Sequence, residues 1–250
     1  MKDLQELNVK IFADGADFDG IMRMYANPMI KGFTTNPTLM RKAGITDYEA
    51  FARKVLGAIK DRPISFEVFA DEPADMVRQG KVIASWGGNV NVKIPVTNTK
   101  GEFAGGVIEE LSKSGVAVNV TAVMSLDQVR RVTACLAPET PAIVSVFAGR
   151  IADTGRDPLP LMTEAVGILR DRPKAELIWA SPREVLNIFQ ADACGCHIIT
   201  VTNDLIAKLA LYGKDLDAYS LETVEMFFKD AKAVGYSIAG ASSASRSAAK

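Results

Sequence analysis

Short β-rich runs alternate with helical stretches along most of this 250-residue chain, and this alternation constrains the fold more than any other feature. The rhythm predicts parallel strands joined by crossover helices. Eight such units without a long linker favour an α/β fold, a closed (β/α)₈ or TIM barrel, over the alternative of an open doubly wound sheet. The predicted strands span residues 10–16, 32–36, 64–70, 89–96, 117–123, 142–149, 176–181 and 197–202, and the predicted helices include 47–60, 105–114, 126–136, 159–170 and 183–191.

The domain boundaries follow from composition. The length suits one barrel, so we expect a single domain over residues 1–237. Residues 238–250 are small and polar, and such a segment buries too little apolar area to offset the entropy of ordering. We therefore predict a flexible tail.

Charge and cysteine content limit the partners. The 29 Lys and Arg nearly balance the 30 Asp and Glu, so we expect no affinity for nucleic acid or anionic membranes. The start lacks an apolar export segment, no run is long enough to span a bilayer, and the three cysteines are odd in number, which together predict a cytoplasmic protein. A single histidine leaves a zinc site short of its usual ligands.

Polar residues occupy one face of strands that would normally be apolar on both faces. In the run 89–96, Val90, Val92 and Ile94 alternate with polar side chains. If the apolar set packs on the helices, the polar set points into the barrel near the strand ends that carry barrel active sites. A satisfied internal hydrogen-bond network is the alternative. The inward set includes Ser65, Glu67, Asn89, Asn91, Lys93, Asn119, Thr121, Ser145 and Phe147.

Lys93 is the most informative of these residues. A lysine between Val92 and Ile94 on an interior strand either pairs with a buried carboxylate or serves as a nucleophile, unless it extends to solvent at the strand end. Desolvation of an amine frees its lone pair for attack on a carbonyl, which supports Schiff-base chemistry. Such chemistry also needs proton transfer and a positioned water, for which Asp14, Glu67 and Thr121 are the candidates. A turn or cap role for Asp14 and a packing role for Thr121 are the alternatives.

A second cluster predicts a phosphate site. Arg150 follows the sixth predicted strand, and Ser181 and Arg183 end the seventh, just before a helix begins. Guanidinium groups, a hydroxyl and helix N-terminal amides together suit a phosphate. Exposed arginines alone would be surface charges, but these two follow adjacent strands at the barrel end that carries Lys93.

Seven motifs in order resemble the transaldolase and fructose-6-phosphate aldolase family over residues 10–211. They are KIFADGAD with Asp14, GFTTNPTL with Thr35 and Asn36, SFEVFAD with Glu67, VKIPVT with Lys93, NVTAVMS with Asn119 and Thr121, SVFAGRIADTG with Ser145, Phe147 and Arg150, and ASPREV with Ser181 and Arg183. The resemblance implies a class I aldolase-type barrel, cofactor-free and metal-free, in which Lys93 forms the Schiff base with a ketose phosphate.

The same resemblance implies the other roles. Asp14 would transfer protons, and Glu67 with Thr121 would hold the catalytic water. The family's aldolase branch has Gln and Tyr where this chain has Glu67 and Phe147, so the pair resembles the transaldolase branch. The implied substrate-binding residues are Thr35, Asn36, Asn119, Ser145 and Phe147 for the sugar and Arg150, Ser181 and Arg183 for the phosphate.

The expected function is therefore transfer of a dihydroxyacetone unit from a ketose phosphate, such as fructose 6-phosphate, to an aldose phosphate. The alternatives are an aldolase that releases dihydroxyacetone, a related enzyme acting on another sugar such as a sulfonated ketose, and a silent barrel that only binds a sugar phosphate. Gly15 and the sequence Thr202-Asn203-Asp204 depart from the family pattern and put the substrate in doubt. We also expect a homo-oligomer, with a subunit count that the sequence does not give.

Overall fold

The computed structural model describes residues 4–238. The described residues up to Leu209 form one compact unit, and those from Ala210 onward form a second. The predicted domain of residues 1–237 spans both units. All of the predicted tail except Ile238 lies outside the described residues.

The first unit is a closed barrel of eight strands in sequence order, β1-β2-β3-β4-β5-β6-β7-β8, in which each strand runs parallel to its neighbours. This confirms the predicted (β/α)₈ fold and excludes the open sheet. Every predicted strand is present, with ends within three residues of those expected. The strands are β1 Lys10–Asp14, β2 Ile30–Thr34, β3 Ile64–Glu67, β4 Val90–Pro95, β5 Val118–Val123, β6 Ala142–Val146, β7 Ala175–Trp179 and β8 Ile198–Thr202.

Helices follow the strands, and the five that the sequence predicted are present within three residues at each end. Short polar side chains fix several starts: Asp47 accepts a hydrogen bond from Ala50 N, and Ser125 forms a capping box with Gln128. The helices of this unit are α1 Phe18–Tyr25, α2 Pro37–Lys42, α3 Tyr48–Ala58, α4 Pro73–Ala84, α5 Gly105–Lys113, α6 Leu126–Cys135, α7 Ala148–Asp153, α8 Leu159–Leu169, α9 Leu186–Ala193 and α10 Asn203–Ala207, with 3₁₀ turns at Leu4–Glu6 and, across the unit boundary, Lys208–Leu211.

The hydrophobic core lies mainly between the strands and the helices. Val92, Val120 and Val144 point outward from three adjacent strands and are fully buried there, against helix residues such as Ile108 and Val129. The alternate positions on the same strands therefore face into the barrel. This alternation places the polar side chains of these strands in the barrel interior, as predicted.

The second unit contains one long helix, α11 Leu216–Val234. The Asp215 side chain caps its start by accepting from Ala218 N. Gly235 ends it in the left-handed conformation at φ 75°, which is the usual glycine stop. No helix within residues 4–238 is long and apolar enough to cross a membrane.

Candidate active site

A cavity of about 530 Å³ opens where the carboxyl ends of the barrel strands meet. Eleven of the twelve predicted site residues line it, from seven of the eight strands or the loop or helix that follows each. Thr35 is the exception: its side chain is fully buried and donates a hydrogen bond to Ser65 O. The lining residues are Asp14, Asn36, Glu67, Lys93, Asn119, Thr121, Ser145, Phe147, Arg150, Ser181 and Arg183.

Lys93 is buried, with 7% of its surface exposed, so it does not extend to solvent. Its Nζ donates to Thr35 O at 2.8 Å and lies 3.3 Å from Glu67 Oε2. The register explains the ion pair, because Glu67 on β3 is the direct neighbour of Lys93 on β4. The amine thus has one carboxylate and one carbonyl beside it inside a solvent-accessible cavity.

Asp14 ends β1, three strands from β4 in the barrel order. Its carboxylate accepts from Thr34 Oγ1 at 2.8 Å and from Asn36 Nδ2 at 3.4 Å. Burial raises the pKa of Asp14 above its ordinary value, although the charge of Lys93 and the two hydrogen bonds oppose that shift. The helix that follows is capped by Asp17, so Asp14 is not a capping residue.

A buried polar chain connects three strands at the centre of the barrel. Ser145 Oγ donates to Asn119 Oδ1 at 2.7 Å, and Asn119 Nδ2 donates to Ser65 Oγ at 3.0 Å. All three side chains are buried. Asn119 is therefore oriented by its neighbours, with its amide fixed in one direction.

Thr121 differs from this chain because its buried hydroxyl finds no hydrogen-bond partner among the protein atoms that the structure describes. Leaving a buried hydroxyl unpaired costs about 1 to 3 kcal/mol. Directly after it, β5 contains one extra residue relative to β6, and Ala122 adopts a left-handed conformation at φ 62°. Such backbone strain in a non-glycine residue is typical of functional sites.

The predicted phosphate residues lie at the cavity rim. Both arms of the Arg183 guanidinium bind the Asp153 carboxylate, with Nε to Oδ1 at 2.9 Å. This pairing lowers the pKa of Asp153. Arg150 stacks over the Phe147 ring, 5.3 Å from its centroid. The rim therefore carries two guanidinium groups, one of which already has a carboxylate partner.

Ser181 adopts the left-handed conformation at φ 58°, and Gly149 packs directly against it. A Cβ at position 149 would overlap the Ser181 carbonyl oxygen and lie 2.6 Å from the carbonyl carbon. Only glycine permits this approach. It brings the start of α7, and with it Arg150, beside the Ser181 loop.

Three residues that line the site or contact its predicted residues were not predicted from the sequence. Thr34 and Thr200 line the cavity and share a 2.5 Å hydrogen bond that continues to Asp14. The strand phase of these two threonines was the available signal, whereas no local pattern indicates that Asp153 binds Arg183. The three are Thr34, Asp153 and Thr200, whereas Ser65 was expected to face inward but was given no role. Within residues 4–238, no three His, Cys, Asp or Glu residues are grouped so as to hold a metal ion.

Comparison with known proteins shows the family of this chain. The family model described as Transaldolase/Fructose-6-phosphate aldolase matches residues 11–243. A probable transaldolase of Dehalococcoides mccartyi is 35% identical over 202 residues, which cover 80% of this chain and 90% of that protein. A probable transaldolase of Caldicellulosiruptor saccharolyticus is 34% identical over 225 residues, covering 89% and 96%.

Among solved structures, 2,3-dimethylmalate lyase, a PEP mutase/isocitrate lyase superfamily member, matches with a TM-score of 0.51. It covers 96% of this chain and 89% of that one at 11% identity, so it shows only a common fold. The family match spans nearly all of the barrel, and the sequence relatives are similar over most of their own length. The chain therefore belongs to the transaldolase/fructose-6-phosphate aldolase family.

Proposed function

We propose that this protein is a cofactor-free transaldolase that transfers a dihydroxyacetone unit from a ketose phosphate, such as fructose 6-phosphate, to an aldose phosphate. The observation that carries the proposal is the buried Lys93 amine inside the cavity, 3.3 Å from Glu67. A buried amine with an adjacent proton acceptor is equipped for attack on a ketone. Family membership and the names of the relatives support the same reaction class.

In the proposed reaction, Lys93 Nζ attacks the ketose C2 carbonyl, and the resulting carbinolamine loses water to form a protonated imine. The C3–C4 bond then breaks, its electron pair moves toward the imine nitrogen, and the C4 hydroxyl gives its proton to Asp14. This releases an aldose phosphate. Asp14 suits the step because burial raises its pKa above the ordinary value, which makes the carboxylate a stronger base.

A water molecule must leave and return when the imine forms and hydrolyses. We assign it to Glu67 and Thr121, which both line the cavity. Support comes from the Thr121 hydroxyl, which is buried but unused by other described protein groups and so is available to a substrate or water. Glu67 would exchange the proton with that water.

We assign the dihydroxyacetone hydroxyls to Asn36, Asn119 and Ser145, which present amide and hydroxyl groups to the cavity. Arg150, Ser181 and Arg183 would bind the phosphate at the rim. Binding would require Arg183 to share its guanidinium between Asp153 and the substrate, or to exchange one for the other.

Transfer is proposed in preference to release because of Phe147. Release of dihydroxyacetone requires water to attack the product imine, and the Phe147 ring facing the cavity offers that water no hydrogen bond. The carbanion intermediate would then persist until an aldehyde arrives. Cytoplasmic location and self-association remain predictions.

Borohydride trapping with fructose 6-phosphate tests the chemistry. We expect the mass of one reduced dihydroxyacetone adduct, mapped to the peptide that contains Lys93. Lys93→Met should abolish the adduct while retaining the fold, since the change conserves apolar volume. The control is Lys113→Met, which removes an exposed lysine that pairs with Glu109. An adduct that persists in Lys93→Met rejects the nucleophile.

Acceptor dependence tests transfer against release. We expect conversion of fructose 6-phosphate only when erythrose 4-phosphate or another aldose phosphate is present. Phe147→Tyr should increase acceptor-free release of dihydroxyacetone, because the phenol can position water. If the wild-type protein releases dihydroxyacetone equally fast without an acceptor, it is an aldolase.

A further inference from the structure

The hydrogen-bond ladder between β2 and β3 stops just before Glu67. Thr35 N donates to Ser65 O at 3.3 Å, and in a parallel ladder the next bond would run from Glu67 N to Thr35 O. Thr35 O instead accepts from Lys93 Nζ. In the bond after that, the N–H of residue 37 would donate to Glu67 O, but residue 37 is a proline and has no N–H. The sheet therefore leaves both main-chain polar groups of Glu67 without a β2 partner.

The Tyr48 hydroxyl satisfies both groups. It accepts from Glu67 N at 2.6 Å and donates to Glu67 O at 3.1 Å. One hydroxyl thus takes the place of the missing strand segment. The consequence is that Thr35 O is available to the lysine while Glu67 keeps a fixed main chain.

Tyr48 is itself held firmly. It is the first residue of α3, directly after the Asp47 cap. Its ring packs in edge-on contacts with Phe66, Phe69 and Trp86, at centroid distances of 6.1, 4.5 and 5.8 Å. Burial raises the pKa of Tyr48 above its ordinary value, so the hydroxyl retains the proton that it donates to Glu67 O.

We propose that Tyr48 is a positioning residue for the reaction, which fixes the main chain of Glu67 and thereby holds its carboxylate against the Lys93 amine. This inference rests on the proposed function, since Glu67 acts there on the catalytic water and the lysine proton. It adds to that function a residue outside the cavity lining. Tyr48 touches no reacting atom in this role.

The test is Tyr48→Phe, which removes the hydroxyl and retains the ring packing. We expect kcat for transfer from fructose 6-phosphate to erythrose 4-phosphate to fall roughly 10-fold to 100-fold, as small displacements of catalytic groups do. KM for fructose 6-phosphate should stay within about twofold, because the proposed binding groups are untouched. Rates are expressed per active site trapped by borohydride, so a partly folded preparation still gives a value.

The matched control is Tyr25→Phe, which removes another hydrogen-bonded tyrosine hydroxyl, the donor to Asp61. It should leave kcat unchanged. A double-mutant cycle then separates positioning from general destabilisation. In a Glu67→Gln background, Tyr48→Phe should lower the same kcat by less than about twofold, because the carboxylate that it positions is already absent.

The outcomes distinguish two failures. A wild-type protein that forms no adduct and transfers nothing rejects the proposed function and this inference with it. An active wild-type protein whose Tyr48→Phe variant retains full kcat overturns only the positioning role. Equal losses from Tyr48→Phe in the wild-type and Glu67→Gln backgrounds also overturn it, since the hydroxyl would then act independently of Glu67.

Discussion

Replacing Gly149 with alanine should damage both stability and the use of phosphorylated substrates. The new Cβ would lie 2.6 Å from the Ser181 carbonyl carbon. Carbon atoms normally approach to about 3.5 to 4.0 Å, and the new Cβ would also overlap the Ser181 carbonyl oxygen, so the start of α7 and the Ser181 loop must separate by at least about 1 Å. The new Cβ would meet main-chain atoms of Ser181, which is already in a left-handed conformation. Rotation of a side chain therefore cannot relieve the overlap.

We expect a loss of about 1 to 3 kcal/mol in the free energy of unfolding, the usual range for overpacking. The same separation moves Arg150 relative to Ser181, and a displacement of roughly 1 Å can reduce kcat/KM about 100-fold. The measurements are urea unfolding followed by circular dichroism, and kcat/KM with fructose 6-phosphate.

Gly106→Ala is the matched control for this substitution. Gly106 is exposed in α5, and a Cβ there would meet nothing within 4 Å. It should gain up to about 1 kcal/mol from helix propensity. The reasoning is refuted if Gly149→Ala unfolds at the same urea concentration as the wild type and retains its kcat/KM.

Two further predictions concern carboxylates of the site. Asp14→Asn should abolish transfer yet stabilise the protein at pH 7, because burial of the ionised carboxylate is costly. Since the pKa of Asp14 is raised on folding, this gain should be absent below the ordinary value of 3.8, grow as pH rises above it and be complete once pH exceeds the raised pKa; equal stability at every pH would contradict it. Asp153→Asn should lower KM for fructose 6-phosphate about twofold to fivefold, because it frees Arg183 to bind the substrate phosphate. KM for unphosphorylated dihydroxyacetone should stay unchanged. A higher KM for fructose 6-phosphate would mean that Asp153 orients the arginine instead.

The alternation of residue types predicted the barrel well. Each strand packs on the helices with one face and lines a polar interior with the other, so apolar and polar residues alternate with a period of two. The strand ends were less predictable, since tertiary contacts decide them. The run 64–70 was expected to be one strand, but β3 ends at Glu67. Phe69 N and Ala70 N instead bind the Gln79 side chain at 2.7 and 2.9 Å, a contact that no local pattern indicates.

The inward-facing residues of the site could be predicted for the same reason, and the structure places Lys93 and Glu67 side by side as expected. Groups that act from outside the strand pattern could not. Asp153 lies 30 residues from Arg183, and the Tyr48 hydroxyl reaches Glu67 from a helix. The left-handed Ala122 gave no signal either, because the sequence shows no glycine there.

The contact between Lys93 and Thr35 O has a consequence for how such a site can change over time. The acceptor is a peptide oxygen, which every amino acid supplies, so no substitution at position 35 deletes it. The amine is therefore anchored by the course of the chain, while the residues around the cavity mouth remain free to vary. If the proposed function holds, new sugar preferences can arise by exchange of rim side chains without repositioning the Lys93 amine.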